Sequence, residues 1–150
     1  MATYEEETDN GTMPSNVDDL ANLVVGHKIV KVEKLEKSIS YMGKYGWEKY
    51  LSGLALTLDN GKTVYIEDTD DCCAYTALQT FLFNADKIDH IITGVHAEDN
   101  YTTWHVVADM GDVLELTVGW SAGNPFYYGY GFDFVVIDPD GKLSEQGKDA

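Results

Sequence analysis

Alternation of apolar and polar side chains is the dominant signal along this chain. Leu54, Leu56 and Leu58 alternate with small or polar residues, Asp59-Asn60-Gly61 interrupts them, and Val64 and Ile66 resume the pattern. This is the period of strands with one buried face. A two-residue Asn-Gly loop would put Val64 and Ile66 on the face opposite the leucines. A three-residue loop instead pairs Leu56 with Val64 and Leu54 with Ile66, and only that register makes a single apolar face. It also fits a type I turn closed by a left-handed glycine and a bulge.

The same test applies to Trp104, Val106 and Ala108 followed by Leu114, Leu116, Val118 and Trp120. With Asp109-Met110-Gly111 as the loop, Val106 faces Leu114 and Trp104 faces Leu116. Phe132, Phe134 and Val136 alternate into Asp138-Pro139-Asp140-Gly141, which places proline and glycine where a tight turn favours them. Residues 27–35 and 88–97 complete a set of six or seven strands. Between them, Asp71 precedes Ala74, Leu78, Phe81 and Leu82 at helical spacing, so the pattern predicts one helix there, with a strand as the alternative because the run is rich in β-formers near Thr80–Phe83. The expected fold is α+β and β-rich: a mostly antiparallel twisted sheet or open barrel of six to seven strands with one packed helix.

Charge refines this picture. The chain of 150 residues carries ten cations, all lysine, and 26 carboxylates, for a net charge of −16. With no guanidinium for bidentate phosphate recognition, direct nucleic-acid binding is not expected. By segment the charge is −6 for residues 1–26, +3 for 27–50, −11 for 51–137 and −2 for 138–150, so one face is expected to be far more negative than the rest. Residues 1–21 read as a disordered acidic leader, 22–140 as a single β-rich domain and 141–150 as a polar tail. No apolar run approaches the roughly 20 residues of a membrane span, and the start lacks the signature of a secretory signal.

Candidate chemistry is sparse. Cys72-Cys73 follow Glu67, Asp68, Asp70 and Asp71. Those carboxylates would raise a thiol pKa, whereas a helix N-terminus would lower it. The pair reads either as small apolar side chains seating the helix start or as a nucleophile or redox pair. Asp68, Asp70 and Asp71 read as a solvated acidic loop, with weak calcium or magnesium binding as the alternative. His90 and His96, six residues apart on one expected strand, would stand roughly 20 Å apart and could not share an ion. No HxH, HxxxH or CxxC spacing occurs among His27, His90, His96 and His105, so neither a metal centre nor a cofactor is expected. There is no GxSxG elbow, P-loop or GxGxxG motif to nominate catalytic residues.

The most distinctive composition lies in residues 120–132. Trp120, Phe126, Tyr127, Tyr128, Tyr130 and Phe132 cluster there with Asn124, Pro125, three glycines, Ser121 and Ala122 between them. Such a segment is read either as a lid folded over the sheet or as a contact surface, since tyrosine and tryptophan give large contact area at low entropy cost.

TDDCCAYTALQTFLFNADKIDHIITGV and YTTWHVVADMGDVLELTVGWSAGNPFYYGYGFD resemble a family of small uncharacterised proteins of tailed bacteriophages, chiefly of actinobacterial hosts. The resemblance covers roughly residues 24–137. It implies a phage origin and expression in the host cytoplasm. It carries over no catalytic residue, since that family has no established activity. The expected function is a non-enzymatic accessory protein that binds a host or defence protein, with DNA mimicry by its carboxylates as a specific form. A virion or assembly component able to self-associate is the second expectation. The third is a small-ligand binder or enzyme using Cys72, Cys73 and Asp71 with His90 or His105.

Overall fold

A computed structural model of the chain describes residues 13–42, 48–70, 75–109, 111–121 and 131–140. Among them one helix, α1 (Met13–Val24), precedes nine strands: β1 (Ile29–Met42), β2 (Glu48–Leu58), β3 (Thr63–Glu67), β4 (Thr69–Asp70), β5 (Tyr75–Phe83), β6 (Ile92–Glu98), β7 (Thr103–Ala108), β8 (Gly111–Ser121) and β9 (Asp133–Ile137). A 3-10 turn, Ala85–Lys87, lies between β5 and β6. The fold is α+β and β-rich. Its strands form two antiparallel sheets, in the orders β1-β2-β3-β9 and β4-β5-β8-β7-β6, rather than a closed barrel.

The apolar face predicted for β2 and β3 is present. Leu54 pairs with Ile66 and Leu56 with Val64, all four are fully buried, and Gly61 sits at φ +89° to close the three-residue turn. Val106 likewise pairs with Leu114 and Trp104 with Leu116. The route differs from the expected one: Ala108 pairs with Gly111, so the connection is a residue shorter, and a bulge at Val113 restores the register. Both sheets and α1 contribute to one core, which includes Leu20, Leu56, Ile66, Trp104, Leu116 and Val136. Trp104 of the second sheet meets Phe132, just before β9, edge to face with centroids 5.3 Å apart.

The expected helix over 71–83 is instead strand β5 from Tyr75 to Phe83, with residues 71–74 outside the described set. Thr76 and Leu78 point inward, a bulge between Leu78 and Thr80 shifts the phase, and Phe81 and Phe83 then stand opposite Leu116 and Leu114. That shift produces the three-residue spacing from Leu78 to Phe81 that imitates a helical period. Two threonines, a tyrosine and two phenylalanines also favour the extended chain.

The helix lies within the supposed leader. Met13, Asn16, Val17, Leu20 and Val24 are buried along one face of α1, which corrects the reading of residues 13–21 as disordered. Pro14 suits the first turn, and Gly26 at φ +90° ends the helix. The buried Asn16 amide donates to the Phe132 carbonyl (3.0 Å) and accepts from the Phe132 N–H (2.9 Å), acting as a one-residue strand partner. Beyond the helix, Gly26 and His27 bond Ile92 of β6 while Lys28 accepts from Asp59, so residues 26–28 join the two sheets. Among the described residues no helix is long and apolar enough to cross a membrane.

Candidate functional site

His105 lies on the outward face of β7, directly opposite His96 of β6 on one side and Glu115 of β8 on the other. Its Nδ1 is 2.8 Å from Asp112 Oδ2 and its Nε2 is 2.7 Å from Glu98 Oε2. Ionised carboxylates only accept hydrogen bonds, so this geometry satisfies both nitrogens when the ring is a protonated imidazolium. Its pKa is accordingly raised. The hydrogen bond to Glu98 is the largest cause, partial burial opposes it, and the hydrogen bond to Asp112 and the charges of both carboxylates add to it.

A regular strand would send Asp112 and Glu115, three residues apart, to opposite faces. The β8 bulge brings both carboxylates to the face of His105, and one ligand atom from each of the three residues lies within 4.8 Å of the others. Asn84 pins the bulge: its side-chain amide donates to the Asp112 carbonyl (2.8 Å), and its backbone N–H donates to the Val113 carbonyl (2.9 Å). The cluster is thus built on paired strands, with its one irregularity held by an amide. None of Asn84, Glu98, Asp112 or Glu115 was singled out from the sequence. The available signal was Val113-Leu114, two adjacent buried apolar residues in an otherwise alternating strand.

The β6–β7 connection beside Glu98 is strained. Asp99, Asn100 and Tyr101 take consecutive left-handed conformations, with φ of 55°, 58° and 65°; aspartate and asparagine tolerate this region, whereas Tyr101 carries a cost of about 1–2 kcal/mol. Each carbonyl in this turn is capped. Thr102 bonds that of Asp99, Trp120 Nε1 that of Asn100 (2.7 Å) and Trp104 Nε1 that of Tyr101 (3.0 Å). Trp120, expected as a contact residue, therefore supports this turn and meets the Tyr101 ring edge-on at 6.5 Å.

A match to the domain of unknown function DUF7448 spans residues 22–134, from the end of α1 into β9. The chain belongs to the DUF7448 family. No curated protein and no solved structure matches it. The matched span of this DUF7448 chain contains the whole His105 cluster.

The residues nominated from the sequence are dispersed or lie outside the described set. Asn124, Phe126, Tyr127, Tyr128, Tyr130, Cys72, Cys73 and Asp71 are outside it. Asp70 is in β4, paired with Tyr75. Asp68 accepts a hydrogen bond from the Leu78 N–H (2.9 Å), tying the end of β3 to β5. His90 precedes β6 instead of lying within it, and its Nδ1 stands 3.0 Å from Asp109. His27 stands 3.1 Å from Asp59. His90 and His105 therefore occupy separate carboxylate environments.

Proposed function

We propose that this DUF7448 chain is a non-enzymatic accessory protein of a tailed bacteriophage. In this reading it acts in the host cytoplasm by binding a host or defence protein at a basic, nucleic-acid-binding site. The observation that carries the reading is the division of charge between the chain segments that supply most of each sheet. Residues 27–67, which supply β1 to β3, hold seven lysines and five carboxylates, whereas residues 75–121, which supply β5 to β8, hold seven carboxylates and one lysine. Asp86, Asp89, Glu98, Asp99 and Asp109 are exposed, and Asp112 and Glu115 are half-buried. Glu98 ends β6 and the other four exposed carboxylates lie in the connections of the second sheet; together they offer a negative surface, which speeds encounter with a basic partner and selects for it. The likeness of residues 24–137 to phage proteins supplies the biological setting, and in this reading Tyr127, Tyr128 and Tyr130 add contact area.

Affinity capture from host lysate, with mass spectrometry of the bound fraction, tests this function. The wild type is expected to retain a basic protein that elutes with rising salt and is displaced by duplex DNA. Asp86→Asn/Asp89→Asn/Asp99→Asn, all at exposed positions, should weaken retention and flatten its salt dependence. Tyr127→Ala/Tyr128→Ala should weaken retention while leaving the salt dependence unchanged. Retention indifferent to salt and to the triple substitution would remove the DNA-mimic reading, and retention of no partner would remove the function itself.

A further inference from the structure

We propose that His105, Asp112 and Glu115 bind one divalent transition-metal ion of the zinc, manganese or cobalt class, with Glu98 orienting the imidazole from behind. This inference is independent of the partner-binding reading. Three features carry it. The ligand atoms already lie within 4.8 Å of one another. Nitrogen and oxygen donors bind such ions at about 2.0–2.2 Å, which sets donors about 3–4 Å apart around the ion, so small side-chain rotations complete the contact. His105 and Glu115 are register partners on adjacent strands, and Asp112 joins them through the bulge that Asn84 anchors.

The second feature is the disposition of the imidazole. Nδ1 faces Asp112, while Nε2 faces Glu98 at 2.7 Å. On binding, the ion replaces the Nδ1 proton, which leaves to solvent, and Nε2–H continues to donate to Glu98. A carboxylate on the far nitrogen is the arrangement that fixes the ring of a metal-bound histidine and raises its donor strength. The third is the chemistry of the set. One imidazole and two carboxylates suit zinc, manganese and cobalt, whereas calcium and magnesium prefer oxygen alone. A divalent ion would also relieve repulsion among Glu98, Asp112 and Glu115 in a chain of net charge −16. Three protein ligands leave coordination open to water or to a group from a bound molecule.

The full-length protein, stripped with EDTA and dialysed, is titrated with Zn2+ by calorimetry. One equivalent is expected to bind, with affinity reduced at least about tenfold by His105→Gln and by Asp112→Asn and unchanged by His90→Gln. In a second measurement that needs no variant, substoichiometric Mn2+ is added to the 15N-labelled wild type. The amides of His105, Asp112 and Glu115 should broaden first. Zn2+ uptake that survives His105→Gln, or Mn2+ broadening spread over the acidic surface without a focus at these three residues, would overturn the assignment.

Discussion

His105 shows how a single side chain acquires properties that its identity alone does not give. Four groups face or flank it: Glu98 and His96 from β6, and Asp112 and Glu115 from β8. The carboxylate hydrogen bonds hold its pKa above the ordinary imidazole value of 6.5. The folded state thus favours the protonated ring. The stability it contributes is complete below about pH 6.5, where the unfolded chain is also protonated, and is lost as pH rises through the raised folded value. In EDTA, urea midpoints should fall over that interval, and His105→Gln should flatten the fall. A wild-type profile that is flat or rises there would contradict the hydrogen-bond geometry. The sequence displayed the four histidines but not their neighbours. Glu98 and Asp112 each lie seven residues from His105 along the chain, and only the two hairpins fold them back onto the ring.

At the scale of elements, the hairpin registers were legible because period-2 alternation admits one solution that buries both strands' apolar residues on a common face. Leu54 with Ile66 and Trp104 with Leu116 follow from that condition alone. The bulges were not legible, since an extra residue disturbs the alternation on which the reading depends. In β5 the shift between Leu78 and Thr80 resembled a helical period. In β8 the adjacent Val113 and Leu114 concealed the approach of Asp112 to Glu115. Helix α1 was missed for a different reason: the acidic average of residues 1–26 masked the spacing of Met13, Val17, Leu20 and Val24. Glycine positions test the strand geometry. Gly53 has φ +103°, and a Cβ there would collide with the Ile66 carbonyl; Gly111 has φ +114° and open space around it. Gly111→Ala should cost about 1–2 kcal/mol, the conformational penalty alone. Gly53→Ala should cost clearly more, because β2 and β3 must also separate. Equal shifts in urea midpoint would show that the close approach at Gly53 carries no energetic weight.

For the whole molecule, charge opposes folding while the shared core sustains it. A net charge of −16 generates self-repulsion that burial must outweigh. Raising KCl from about 0.01 M to about 0.15 M shortens the screening length from about 30 Å to about 8 Å. The melting temperature measured by calorimetry should therefore rise over this range. A falling temperature would mean that attractive pairs such as Lys62–Asp138 and Lys31–Glu33 outweigh the repulsion. The sequence by itself determined the β-rich class, the β2–β3 register, the Trp104–Leu116 and Val106–Leu114 pairs and the uneven distribution of charge, because each follows from local order along the chain. Tertiary structure alone decided that the strands divide into two sheets, that α1 covers part of their core and that His105 gathers three carboxylates. The physical reason is that bulge positions and contacts between distant strands depend on how the whole core packs, and no short window of residues carries that information.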